Sequence, residues 1–197
     1  MTRLVLASQS PARLTTLRAA GLDPEVLVSG VDESDVTGAA AYVALELATR
    51  KARAVAGRVA GDAFVVGCDS VLELDAEAHG KPVDAEQARE RWRRMRGRTG
   101  TLHTGHCVID TSTGREVARG AATLVRFADI SDAEIDAYVA TGEPLAVAGA
   151  FTVDGLGGAF VEGLDGDPHN VVGISLPLLR RMLGELGVAW PSLWAGR

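Results

Sequence analysis

In the stretch Ala63 to Pro82, AFVVGCDSVLELDAEAHGKP, a carboxylate sits inside an otherwise apolar pattern. Ala63-Phe64-Val65-Val66 is short and apolar, typical of a buried strand, and the chain turns apolar again at Val71-Leu72. Between them stand Gly67, Cys68, Asp69 and Ser70. An ionised carboxylate in such surroundings is costly unless a cation meets it, and the natural cations are a metal ion or a lysine. Lys81 follows twelve residues later on the rigid turn Gly80-Lys81-Pro82. Asp69 is therefore the expected chemical centre, to which the rest of the chain brings phosphate, metal and base contacts. The plain alternative is that Asp69 ends a strand or caps a turn.

Three other segments carry residues of matching chemistry. Ser8-Gln9-Ser10-Pro11 joins a first strand, Leu4 to Ala7, to a helix whose cap would be Ser10. The unpaired N–H groups of such a helix end suit an anion, and Arg13 in the first turn adds a bidentate phosphate contact. Val31-Asp32-Glu33-Ser34-Asp35 is a compact acidic loop whose oxygens suit Mg²⁺ or Mn²⁺. Lys51 lies on an alanine-rich helical pattern from Ala39 to Ala56. Each has a bland reading beside it: a plain cap with a surface arginine, a solvated loop, a solvated helix lysine.

The elements that must position these groups alternate between strand and helix. Val26-Leu27-Val28 reads as a second strand. Asp84 and Gln87 resemble a capping box opening a helix from Ala85 to Met95. The basic run Arg89, Arg91, Arg93, Arg94, Arg96 and Arg98 falls on this helix and its end, but Ala88, Trp92 and Met95 give it a core stripe, so the arginines read mostly as a solvated face with Glu86 and Glu90 as partial partners. Thr101 to Asp110 and Glu116 to Phe127 read as strands joined by the turn Thr111 to Gly114. His103 and His106 would point to opposite faces, which disfavours a shared zinc. Ser131 and Glu134 form a second capping box. Gly142 to Gly173 is glycine-rich and holds Asp154, and Gly155-Leu156-Gly157-Gly158 lacks the spacing of a dinucleotide fingerprint. A last helix is expected over Ile174 to Leu186, followed by a tail whose two tryptophans pack back on the body.

The 197 residues suffice for one domain, residues 1–197, with no repeat or linker. The net charge of −6 argues against a general nucleic-acid coat, and no apolar run reaches membrane-spanning length. Two cysteines form no disulfide framework and fit a reducing cytosol, so a cytoplasmic protein is expected. A homodimer is one assembly compatible with these features.

The pieces in this order resemble the Maf family of nucleoside triphosphate pyrophosphatases over nearly the whole chain. The opening LVLASQSPARLTTL is similar to the family's LASxSPRRxxLL, and Val31-Asp32-Glu33 to its VDE. Lys51-Ala52, Asp69-Ser70, Gly80-Lys81-Pro82, Gly97-Arg98-Thr99, Thr104-Gly105, Ile130 to Ile135 and Asn170 to Gly173 fall in register. The resemblance implies a two-lobed α/β fold on a mixed central sheet with flanking helices, related to the inosine triphosphate pyrophosphatases, with the active cleft between lobes. It implies cleavage of a nucleoside triphosphate to the monophosphate and pyrophosphate, a house-cleaning activity associated with cell-division arrest. Asp69, Lys51 and Lys81 would be catalytic, with Asp69 marked as the general base. Ser8, Ser10, Arg13 and Asp154 would bind substrate, and Glu33 and Asp69 would hold a divalent cation, Mg²⁺ or Mn²⁺. A carboxylate on a metal would have a low pKa and orient water more than abstract a proton.

Three positions depart from the family pattern. Ala12 replaces the first of two arginines, Gly100 replaces a histidine, and Asp154 stands where members favouring dTTP and UTP carry glutamine and those favouring 7-methyl-GTP carry glutamate. Base preference is left open, with dTTP and UTP as the first expectation. The other readings are a nucleotide-sensing regulator without turnover, a phosphatase with Asp69 as nucleophile, which would want an acid where Val71 stands, and an RNA-binding module on the arginine helix.

Overall fold

The computed structural model describes residues 2–195. In chain order come β1 (Leu4–Leu6), α1 (Pro11–Ala19), β2 (Glu25–Val26), α2 (Ala40–Ala56), β3 (Phe64–Leu74), β4 (Glu77–His79) and α3 (Ala85–Met95). They are followed by β5 (Thr99–Asp110), β6 (Glu116–Phe127), α4 (Asp132–Ala140), β7 (Val161–Asp165), α5 (Pro168–Val172) and α6 (Leu176–Glu185). Among the described residues the strands form one seven-stranded sheet in the order β2-β1-β3-β5-β6-β7, with β4 also paired to β3. β1 runs parallel to β2 and β3, and the other pairings are antiparallel. The mixed α/β architecture matches the expectation. No helix among the described residues is long and apolar enough to cross a membrane.

β3 corrects the sequence reading of its own segment. It does not stop before Asp69 but runs through it, paired with β5 from Phe64 to Glu73. Gly67, which looks like a break, is a landing place for α2. A Cβ there would lie 2.2 Å from the Ala48 carbonyl oxygen, and one at Gly105 would lie 2.2 Å from that of Ala44. Ala40, Ala44, Ala48 and Ala52, spaced at i, i+4, form the buried stripe of α2. Alanine over glycine brings the helix closer to the sheet than larger side chains would allow.

The opposite face holds two separate cores. Leu4, Leu6, Val66, Cys68 and Val108 pack with α6 and with Trp190 and Trp194 of the tail. Leu72, Leu74, Leu102, Val125 and Phe127 pack with Trp92 and α4. The last two residues of the tail segment, Gly196 and Arg197, lie outside the described residues. Ser70, Thr104 and Thr123 fall between the two cores, and this polar seam divides the lobes.

Other boundaries shift for local reasons. The second strand covers Glu25–Val26 rather than 26–28: these residues are in register with β1, and Leu27 adds one N–H bond to the Leu6 carbonyl before the chain leaves the sheet. The Ser131–Glu134 capping box is complete, whereas Gln87 gives its side-chain oxygen to the Val83 N–H instead of returning to Asp84. The arginines of α3 and of the turn after it are tied to acids: Arg89 to Asp136, Arg96 to Asp132, and Arg94 and Arg98 to Asp75. Glu86 serves as a partner, as expected, and Arg91 is buried rather than solvated.

The β3–β4 connection puts Asp75 (φ 56°) and Ala76 (φ 60°) in the left-handed region. Alanine there works against its own Cβ, a conformation that costs roughly 1–2 kcal/mol per residue. Ala76→Gly relieves it and is expected to gain about 0.5–1 kcal/mol after the extra chain entropy of glycine. Thermal unfolding should show a rise of about 1–4 °C.

Candidate active site

On its β5 side β3 is paired throughout, but its other edge is shared by two short strands. β1 ends against Val66, where the Ala7 N–H donates to the Val66 carbonyl, and β4 begins at Leu72. Between them, on this edge, no strand among the described residues lies against Gly67 to Val71, because Ser8 to Pro11 turn the chain away and β4 returns for only three residues. Asp69 and Ser70 lie in this gap. Their side chains leave opposite faces of the sheet, so one notch is served from both sides.

On the α2 side, Lys51 reaches down to the sheet. Its Nζ lies 2.5 Å from Asp69 Oδ1 and 2.6 Å from Glu33 Oε1. The acidic loop is thereby brought onto the same ammonium as the buried acid. Asp69 is 8 % exposed. Burial pushes its carboxyl above the usual range, against the opposing pull of Lys51 and Arg13. In the absence of a metal, burial outweighs the two cations. Among the described residues no group of three or more His, Cys, Asp and Glu surrounds a common point.

On the other side, Arg13 enters the polar seam and is 9 % exposed. Its Nε donates to the Gly173 carbonyl at 2.7 Å, Nη1 to Ser8 Oγ at 3.1 Å and Nη2 to Ser70 Oγ at 3.1 Å. Ser70 Oγ is 2.9 Å from Thr104 Oγ1, which itself donates to the Asn170 carbonyl. The proton order therefore runs from Arg13 to Ser70 to Thr104 to Asn170. Every acceptor on this guanidinium is neutral, and among the described residues it pairs with no carboxylate. Of its five donors, one on each terminal nitrogen is still open, a fork suited to a phosphate. Asn170 is fully buried and fixes the seam by donating to the Leu102 carbonyl and Thr123 Oγ1.

Two other reactive groups nearby are silent. Burial pushes the Cys68 thiol up to about 12, so it is no nucleophile. His106 is held down to about 4 by burial and then by Arg13, and its Nε2 accepts the Ser175 N–H at 2.8 Å. That lone pair is used, so His106 is neither a base nor a metal ligand here.

The sequence candidates divide accordingly. Ser8, Arg13, Lys51, Glu33 and Asp69 meet around the gap. Ser10 flanks it but is not the side-chain cap of α1; its N–H donates to Ser8 Oγ instead. Lys81 is exposed on the turn before α3, and Asp154 is exposed in the loop before β7; among the described residues Asp69 has its hydrogen bond and ion pair with Lys51 rather than with either of these. That loop is held by Glu143, whose carboxylate accepts from Tyr138 and Thr152 and from the N–H groups of Leu156 and Gly157. The residues that sequence reasoning missed are Thr104, Asn170 and the Gly173 carbonyl. Their signal was present, as motifs in register without an assigned role.

A family model described as Maf-like protein matches residues 3–186. The chain belongs to the Maf family. Among its relatives, a Streptomyces coelicolor protein named nucleoside triphosphate pyrophosphatase is 62 % identical over 196 residues, spanning 98 % of this chain and 95 % of the relative. A Salinispora tropica protein of the same name is 59 % identical over 198 residues, 98 % of this chain and 88 % of the relative. Among solved structures, the Staphylococcus aureus Ham1 protein aligns at a TM-score of 0.45 and 15 % identity over 65 % of this chain and 73 % of that one, a likeness that bears no weight for function. The Maf motifs map onto the gap itself: the SQSPAR segment supplies Ser8 and Arg13, VDE supplies Glu33, and NVVG supplies the Asn170 and Gly173 carbonyls.

Proposed function

We propose that this Maf protein is a nucleoside triphosphate pyrophosphatase that cleaves the α–β phosphoanhydride, releasing the monophosphate and pyrophosphate. The observation that carries the reading is the meeting, across one notch in the sheet, of a buried carboxylate with an arginine that donates only to neutral acceptors and keeps an open fork. A phosphate would fill that fork. The open fork of Arg13 would take phosphate oxygens, and Lys51 would shift one of its N–H groups from carboxylate to phosphate. Lys81, from the facing lobe, would close on the same polyphosphate. Such preorganised donors act where charge grows in the transition state. Asp69 Oδ1 would accept the proton of the attacking water.

Glu33 and Asp69 would hold a divalent cation. Two converging carboxylates fit Mg²⁺ or Mn²⁺, which usually completes its shell with waters and substrate phosphates rather than with an all-protein cage. When bound, the ion would neutralise phosphate charge. Asp154, an acceptor-only group on the facing lobe, would receive a base N–H, and dTTP or UTP is the first expected substrate.

The test is product analysis with dTTP, UTP and the other triphosphates under Mg²⁺ or Mn²⁺. Equal amounts of monophosphate and pyrophosphate are expected. Orthophosphate alone would point to a phosphatase, and tight binding without turnover to a sensor.

A further inference from the structure

Arg91 is the exception on α3. Its neighbours Arg89, Arg93, Arg94, Arg96 and Arg98 each pair with a carboxylate. Arg91 is 7 % exposed, and among the described residues it has no acidic partner. Its Nη1 donates to the Gly80 carbonyl at 2.6 Å, and Nη2 makes a long contact of 3.4 Å to Gln87 Oε1. The same Gln87 oxygen accepts the Val83 N–H at 2.9 Å. Lys81 and Pro82 are thus bracketed, through Gly80 on one side and Val83 on the other. The Gly80 carbonyl also accepts the Gly149 N–H at 3.0 Å, and the next residue of α3, Trp92, donates to the Ala150 carbonyl at 2.7 Å. Two consecutive side chains of one helix therefore grip the turn that carries Lys81 and the segment that leads to Asp154.

A buried cation is an expensive way to hold a turn that Gly149 already binds. Burial, and then Arg94, draw the Arg91 guanidinium below its usual range. A methionine of similar length would avoid that cost and leave the Gly80 carbonyl with its second donor. The arginine is better explained by placement than by stability.

We propose that Arg91 is a positioning residue for Lys81, acting through the Gly80 carbonyl and through Gln87 on Val83. In its kinetic readout the proposal rests on the pyrophosphatase reading. Without the bracket Lys81 samples a wider arc, and a misplacement of about 1 Å can cost on the order of 10²-fold. Arg91→Met is expected to lower kcat/KM about 10–100-fold without lowering Tm. Arg91→Lys, which retains one donor for the carbonyl, should recover part of the loss. In a Lys81→Met background, Arg91→Met should cost no more than about twofold to threefold, since the two act on one contact.

Arg91→Met with the parent's kcat/KM would overturn the proposal. So would losses that multiply in the double variant, or a fall in Tm that matches the fall in activity. If the parent releases no pyrophosphate, the enzymatic reading fails, and the same cycle is then read on the Kd of the α,β-methylene analogue of dTTP. Non-multiplying losses in Kd would still support Arg91, whereas a parent that does not bind the analogue would sink both ideas.

Discussion

Asp69→Asn is expected to lower turnover about 10²–10⁴-fold, as loss of a positioned base does, while leaving the protein folded and more heat-stable than the parent. The side chain keeps its shape and can still accept from Lys51, which also retains Glu33 at 2.6 Å. What disappears is an ionised group that the fold buries to 8 % exposure. The sign of the stability change follows from protonation. Burial raises the folded-state pKa of Asp69 above its ordinary 3.8. Between those two values the native state binds more proton than the unfolded state. Asp69 therefore lowers stability as pH rises through that window, and the full cost persists above it. The asparagine variant lacks this loss. Thermal unfolding of chelator-treated protein across the acid range should show the Tm difference between variant and parent opening as pH rises from 3.8. A folded Asp69→Asn protein with the parent's turnover would remove Asp69 from the chemistry. A variant less stable than the parent at neutral pH would mean that the Lys51–Asp69 pair outweighs the burial cost.

The chemistry of this site was more legible than its geometry. Asp69 stands out as a lone acid in an apolar run, whereas Lys51, Arg13 and Glu33 fit a solvated helix face, a helix cap and a solvated loop equally well, and the family resemblance is what assigns them to the site. That they meet depends on contacts across 18 to 160 positions, such as Lys51 with Asp69 and Arg13 with Gly173, which no local pattern records. Gly67 shows why the strand was read too short. Glycine in a strand looks like a break when only its neighbours are visible, and like a docking point once the register places α2 over it. The arginines of α3 show the same limit. Their partners Asp75, Asp132 and Asp136 lie outside the helix, so only Glu86 could be anticipated. Ser10 occupies the cap position that the sequence suggests, but the hydrogen bond there is made by its backbone N–H to Ser8 Oγ rather than by its side chain.

Gly105→Ala should be the most damaging change that alters no candidate site residue. Gly105 faces Asp69 directly across the β3–β5 ladder, and α2 lies on it. An added Cβ would come within 2.2 Å of the Ala44 carbonyl oxygen and 2.5 Å of Leu45 Cα, all of it helix backbone that no rotamer change can move aside. The helix must therefore rise, and it cannot rise at Ala44 alone because Ala48 sits equally close over Gly67. Overpacking of this kind costs typically 1–3 kcal/mol, and backbone contact places this case at about 3 kcal/mol or beyond. At about 2–4 °C per kcal/mol for a chain of this size, Tm should fall by roughly 6–12 °C. Lifting α2 also carries Lys51 away from Asp69, so kcat/KM should drop by about 10²-fold even in the fraction that stays folded. Gly120→Ala is the control. Gly120 pairs with Gly105 on the next strand, but a Cβ there meets nothing within 4 Å, so that variant should unfold and turn over like the parent. Equal behaviour of the two alanine variants would show that close seating of the helix is not what delivers Lys51 to the buried acid.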